Sequence, residues 1–143
     1  MFSKRLIKMI NQKVENVIRK LITATDTVYL VGGAVRDLLM GIEPSDYDIV
    51  TNLKPNEIIQ LFSDAQYNVD LVGQSFGVVI VDDIQIATYR KDCYSADRIR
   101  ECGADSVIFA NSIEEDLSRR DFTINAICLD LKKIIKYYEN NLE

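Results

Sequence analysis

The chain has no histidine and no tryptophan, only two prolines and three cysteines in 143 residues, and no long apolar run. Each absence removes a class of function. Without histidine there is no imidazole general base, no Ser-His or Cys-His nucleophile pair, and none of the usual histidine-containing zinc sets. Cys93, Cys102 and Cys128 show no C-x-x-C spacing. They read as reduced thiols of a cytoplasmic protein and not as a metal or disulfide framework. No apolar stretch nears the ~20 residues of a membrane span. The opening MFSKRLIKMINQK intersperses charge where a signal peptide would carry an unbroken apolar segment. A net charge of −5 argues against tight, non-specific nucleic-acid binding by the whole surface, while leaving room for a locally basic cleft. Catalysis in such a chain must run on carboxylates, cationic side chains and metal ions.

What is present suits one globular domain. The length is one domain's worth, and 48% hydrophobic residues are enough to fill one core. Residues 4–22 place Leu6, Ile7, Ile10, Val14, Val17, Ile18, Leu21 and Ile22 at helical spacing, with lysines and arginines opposite, which predicts a packing helix.

Residues 28–51, VYLVGGAVRDLLMGIEPSDYDIVT, carry the chemistry. Val28-Tyr29-Leu30-Val31 predicts a buried strand. Gly32-Gly33 predicts a turn whose backbone can take positive φ and come close to a ligand. Residues 34–40 predict a helix of about two turns with Gly41 as its stop. A helix opening directly after two glycines directs unpaired N–H groups outward, which suits a phosphate. Asp46-Tyr47-Asp48-Ile49-Val50-Thr51 predicts a strand whose period of two puts Asp46 and Asp48 on one face, about 7 Å apart along the chain. Mg2+ takes few carboxylates together with water and substrate phosphates, so two aspartates beside a phosphate-binding turn form a coherent metal site. Cations held there can activate a hydroxyl and steady a leaving pyrophosphate. Either feature alone also fits a solvated acidic strand or an ordinary turn; their conjunction, with Arg36 nearby to meet phosphate charge, favours the site.

Further along, Pro55 opens a helix over 56–63, and strands are expected over 68–72, 76–81 and 84–89, the last two joined as a hairpin by Asp82-Asp83. Residues 91–110 lose periodicity and read as a loop, which composition fits equally as one able to close over a substrate and as a solvated surface connection. Ser112-Ile113-Glu114-Glu115 fits a capping box ahead of a helix carrying Arg119, Arg120 and Asp121, where paired arginines suit triphosphate recognition or, structurally, pairing with Glu115 and Asp116. Residues 129–143 read as a last strand or a short helix fraying into the terminus.

The segments LVGGAVRDLLMG and DYDIVT, followed by RRDFTINA, closely resemble the catalytic head of class II tRNA nucleotidyltransferases, the CCA-adding enzymes and bacterial poly(A) polymerases. FGVVIVDDIQIATYRKDCYSADRIR also looks like that family's hairpin and flexible loop. The resemblance covers residues 28–128. It implies an α/β (α+β) architecture of the DNA-polymerase-β-like nucleotidyltransferase fold, with a mixed sheet flanked by helices. Residues 1–143 would form one head domain, with a packing helix in 1–25 and a catalytic core over 28–128, lacking the neck, body and tail.

The resemblance also implies roles. Asp46 and Asp48 would be the catalytic, metal-binding aspartates, with Mg2+ the expected cofactor and Mn2+ its alternative. Gly32, Gly33 and Arg36 would contact the nucleotide, with Asp37 supporting their turn. Arg119, Arg120 and Asp121 would contact its sugar or phosphates, and Arg90 and Asp92 match the arginine-x-aspartate at the start of the flexible loop. The implied reaction is attack of an RNA 3′-hydroxyl, that of tRNA, on the α-phosphate of CTP or ATP with release of pyrophosphate. The chain departs from the family in three places. Gln85 stands where many relatives carry a third carboxylate, the chain stops at Glu143, and Leu129-Asp130-Leu131-Lys132-Lys133 replaces a glycine-rich stretch. Two other expectations therefore stand beside the first: a transferase with a non-RNA acceptor, and a nucleotide-binding subunit needing a protein partner that supplies neck and body functions.

Overall fold

A computed structural model describes residues 8–91, 108–109 and 128–140. In chain order these form α1 (Gln12–Ala24), β1 (Val28–Val31), α2 (Gly33–Leu39), β2 (Asp48–Thr51), α3 (Pro55–Leu61), β3 (Val69–Asp70), β4 (Val78–Val81), β5 (Ile84–Thr88), β6 (Arg90–Lys91), β7 (Ile108–Phe109), β8 (Cys128–Asp130) and α4 (Leu131–Asn140). Six strands make one sheet in the order β3-β4-β5-β2-β1-β8. Only β2 and β5 run parallel; every other neighbouring pair is antiparallel. This is the mixed α+β architecture expected. β6 and β7 pair as a separate short ribbon, so residues expected as one loop over 91–110 are strand-paired at both ends. No helix among the described residues is long and apolar enough to cross a membrane.

The N-terminal helical pattern is broken within its length: Lys8 and Met9 are helical, Ile10 and Asn11 are not, α1 follows, and residues 4–7 of the expected helix lie outside the described residues. Apolar spacing runs back to Leu6, but Asn11 interrupts it: the Asn11 side-chain oxygen accepts a bond from the Val14 N–H at 3.0 Å and starts α1 at Gln12. An asparagine here satisfies an orphan N–H better than it continues a helix, and the cap wins over the apolar periodicity. From there Val14, Val17, Ile18 and Leu21 form one fully buried stripe.

The other helices cover the same face of the sheet. Ala34, Val35 and Leu38 of α2, Ile58 and Phe62 at α3, and Leu131 and Ile135 of α4 join the α1 stripe, Val28, Leu30, Ile49, Val79, Val81, Ile84 and Ile86 in one core. α3 starts at Pro55, which needs no N–H there, and the Glu57 side chain accepts from the Lys54 N–H at 3.0 Å. The C-terminal segment holds a strand and a helix in succession. Asp130 ends β8 and accepts from the Lys133 N–H at 3.1 Å, so one residue closes the strand and caps α4. The Arg19–Glu139 ion pair ties α4 to α1, and Lys132–Asp26 ties it to the connection between α1 and β1.

Two buried threonines fasten the far end of the parallel pair. Thr88 Oγ1 donates to the Leu53 carbonyl at 2.6 Å, and the Leu53 N–H reaches Thr51 Oγ1 at 3.4 Å. The hairpin turn sits where predicted, with Asp82 at φ 49° and Asp83 at φ 68°, the pair of positive angles a two-residue turn of this hand needs. Asp82 is held in place by its side chain, which accepts from the Asn68 N–H at 2.9 Å.

Candidate active site

β1 delivers the chain to Gly32, which takes φ 75° and ψ −148°. That region is open essentially to glycine alone. A Cβ at Gly32 would lie 3.6 Å from Asp48 Oδ2, so the bare glycine leaves space directly beside that carboxylate. α2 begins at Gly33, and a helix cannot supply partners for its own first N–H groups. It is closed by a Schellman arrangement at Gly41 (φ 76°): Ile42 N–H bonds the Asp37 carbonyl at 2.8 Å and Gly41 N–H bonds that of Leu38 at 3.1 Å. The stop turns the chain back toward β2.

Arg36 and Asp37 hold each other on the outer side of this turn. Arg36 Nε and Nη2 both lie 3.2 Å from Asp37 Oδ1. The guanidinium folds over Gly33, whose Cβ, if present, would sit 3.3 Å from Arg36 Nη2. With the Arg36 side chain 48% exposed the pair adds little stability; what it fixes is where the positive charge sits.

The aspartates arrive on the returning strand. β2 starts at Asp48 and not at Asp46, so Asp46 lies just outside the ladder, while the Gln85 N–H to Tyr47 carbonyl bond of 3.2 Å extends the pairing one residue toward it. Alternation still holds: Asp46 is exposed, Tyr47 buried, Asp48 half-buried and Ile49 buried. Because Ile49 and Ile86 face the helical core, Asp48 and its register partner Gln85 on β5 face the other way. Val31 of β1 flanks Asp48 on its other side. Deeper on this face, Val31, Val50 and Tyr89 form a small second apolar cluster.

Tyr47 is the residue that the reading of the motif as two carboxylates passes over. It is 4% exposed, packed in the main core between the two aspartates. Among the described residues its hydroxyl is the buried side-chain polar atom without a hydrogen-bond partner. Burial, and secondarily the charge of Glu43, pushes its pKa above the ordinary tyrosine value. The signal was available, since a period of two that turns both aspartates outward turns the residue between them inward.

The structure sets Asp48 beside Gly32, and Arg36 over Gly33 and against Asp37, while Asp46 lies exposed two residues before Asp48 and outside the ladder. Arg90 opens β6 beyond the end of β5 opposite Gln85. Asp92, Arg119, Arg120 and Asp121 lie outside the described residues, as do the interior of the expected loop and the capping-box helix.

The donor set fits a hard divalent cation. The Asp48 carboxylate has Gln85 as its register partner and open space beside it at Gly32, and Asp46 is exposed two residues away. No group of three or more acidic or cysteine ligands forms among the described residues.

Comparison with known proteins gives concordant matches. A family model described as the poly A polymerase head domain matches residues 28–140. The CCA-adding enzyme of Geobacillus thermodenitrificans is 41% identical over 123 residues, 83% of this chain and 29% of that protein. Poly(A) polymerase I of Haemophilus influenzae is 35% identical over 122 residues, 78% of this chain and 26% of that protein. The crystal structure of Bacillus stearothermophilus CCA-adding enzyme in complex with CTP shows a TM-score of 0.66 at 35% identity, over 84% of this chain and 27% of that one. The chain therefore spans less than a third of the length of these relatives.

Proposed function

Given that the chain belongs to the poly(A) polymerase head-domain family, we propose that it is a metal-dependent nucleotidyltransferase head. It transfers the nucleoside monophosphate of CTP or ATP to an RNA 3′-hydroxyl, with the 3′ end of tRNA as acceptor, and releases pyrophosphate. The observation that carries this reading is the placement of Asp48 against the bare backbone of Gly32, with the Arg36–Asp37 pair on the same turn. That arrangement offers carboxylates for cations and a backbone and a cation for phosphates at one spot.

Asp46 and Asp48 would hold the metal, Mg2+ being expected and Mn2+ its substitute. When bound, divalent cations supply charge neutralisation at the triphosphate and polarise the attacking hydroxyl. The chain's own groups do the positioning. Gly32 lets the backbone approach the phosphates, and the N–H groups that open α2 are directed at their oxygens. Arg36 meets phosphate charge while Asp37 keeps its guanidinium over Gly33. Arg90, Asp92, Arg119, Arg120 and Asp121 belong to the proposal as further nucleotide contacts. In the reaction the 3′-oxygen forms its bond to the α-phosphorus, the bond to pyrophosphate breaks, and the hydroxyl proton is released.

The test is incorporation of each α-labelled nucleoside triphosphate into tRNA lacking its 3′ end, with Mg2+, with Mn2+ and with EDTA. Label should enter the tRNA from CTP or ATP in either metal and not in EDTA. Absence of metal-dependent labelling from all four nucleotides would overturn the reading of this chain as a self-sufficient transferase. Labelling of a protein or small-molecule hydroxyl instead would reassign the acceptor.

A further inference from the structure

Asp48 has one polar ladder neighbour, and it is neutral. In the row that crosses the sheet at the mouth, Cys128, Val31, Asp48, Gln85 and Ile80 stand side by side on β8, β1, β2, β5 and β4. The parallel register Asp48↔Gln85 brings these two Cα positions to the ordinary interstrand spacing of about 4.8 Å. Gln85 is exposed and its neighbours Ile84 and Ile86 are buried on the opposite face, so its side chain lies on the face of the sheet that carries Asp48. The valine on the other side offers no donor oxygen.

We infer that this head takes up its divalent cation jointly with the nucleotide and not ahead of it, because position 85 beside Asp48 in the ladder carries a neutral side chain and not a carboxylate. The inference rests on the proposed nucleotidyltransferase site. A hard divalent cation wants about six oxygens, preferably anionic. Asp46 and Asp48 can neutralise its charge, but the amide at position 85 adds no charge and only a weak oxygen ligand. A triphosphate brings several anionic oxygens at once. The affinity gain from the nucleotide is therefore large for this donor set, and linkage requires that the cation raise nucleotide affinity by the same factor. A carboxylate at 85 would supply part of that charge in advance, raising the affinity of the bare protein for the cation and shrinking the coupling. The neutral amide also spares the triphosphate a third negative neighbour.

The experiment measures the coupling directly and without turnover. Mn2+ binding to the bare protein is followed by loss of the free-ion paramagnetic resonance signal. Binding of a non-hydrolysable fluorescent ATP analogue is measured with and without Mn2+, in the wild type, Gln85→Glu, Gln85→Ala and Asp48→Asn. Mn2+ should raise analogue affinity of the wild type at least about tenfold, within the usual range of such couplings. Gln85→Glu should bind Mn2+ about tenfold more tightly in the bare form, with a correspondingly smaller effect of Mn2+ on the analogue. Gln85→Ala should keep the wild-type coupling, since only a weak oxygen is lost. Wild-type protein that binds Mn2+ as tightly as Gln85→Glu without nucleotide, or analogue binding indifferent to Mn2+ in the wild type, overturns the inference. The underlying site reading fails separately, and takes this inference with it, if Asp48→Asn binds Mn2+ and analogue as the wild type does.

Discussion

The two faces of the sheet are cut from the same strands and carry different loads. On β2, Ile49 and Thr51 are fully buried, Ile49 against the helical layer. Asp48, one residue away, faces the opposite side beside exposed Gln85. On β1, Leu30 enters the core while Val31 lies in the row with Asp48. A period of two lets a four-residue strand serve a core and a site at once. Positions one apart are therefore expected to differ in what they break: the helical face should govern stability, the mouth should govern chemistry.

The largest stability effect is expected on the helical face. Ile49→Ala removes side-chain volume at a fully buried position where four helices and the sheet converge. Urea unfolding should show a loss of about 2–5 kcal/mol. A loss below about 1 kcal/mol would mean that this face is not the stabilising one.

Gly32→Ala sharpens the comparison, because Gly32 lies where the faces meet the turn. A side chain at φ 75°, ψ −148° should cost about 1–3 kcal/mol of stability. Its methyl would also occupy the space beside Asp48 Oδ2, so nucleotide transfer should fall further than the stability loss explains.

Tyr47 crosses the division, with its backbone between the aspartates and its ring in the core. Tyr47→Phe keeps the ring and removes a buried, unpartnered hydroxyl, so stability at neutral pH should be unchanged or higher by about 1 kcal/mol. The folded pKa of Tyr47 lies above the unfolded one, so its contribution is complete below about pH 10 and is lost as pH rises through the folded value. Unfolding curves of the wild type and Tyr47→Phe should therefore diverge at alkaline pH, with the variant losing less. Parallel alkaline limbs would show that the hydroxyl is not buried as described.

The smallest effect belongs to the hairpin. Asp83→Gly relieves a positive φ of 68° that glycine adopts freely, and should raise stability by about 0.4–1 kcal/mol without altering transfer. Asp82 should not be replaced in the same way, because its carboxylate holds the Asn68 N–H.

Much of this arrangement was legible in the sequence because local chemistry decides it. Val28-Tyr29-Leu30-Val31 has too few residues and too many β-branched or aromatic side chains to be other than a strand, and two glycines at its end announce the turn. Gly41 marked the helix stop, and Asp82-Asp83 the hairpin. What was not legible depends on partners far along the chain. Nothing local states that β2 lies parallel to β5, so the pairing of Asp48 with Gln85 emerges only from the sheet. The edge place of β8 depends on β1, and a sequence such as Cys128-Leu129-Asp130-Leu131 suits strand and helix equally. Asp130 closes one and caps the other, so the segment proves to be both. The break ahead of α1 was missed for the opposite reason. A local cap at Asn11 overrides a periodic pattern that continues past it.

The central claim is that the mouth of β2 carries the chemistry and is separable from the core beneath it. The most direct test is to measure nucleotide transfer to tRNA and urea unfolding on one preparation of Asp48→Asn beside the wild type. The predicted result is a fall in transfer of about a thousandfold, the rate equivalent of several kcal/mol of lost charge stabilisation, with unfolding free energy changed by less than about 1 kcal/mol. Transfer at the wild-type rate, or a loss of transfer matched by an equal loss of stability, would contradict it.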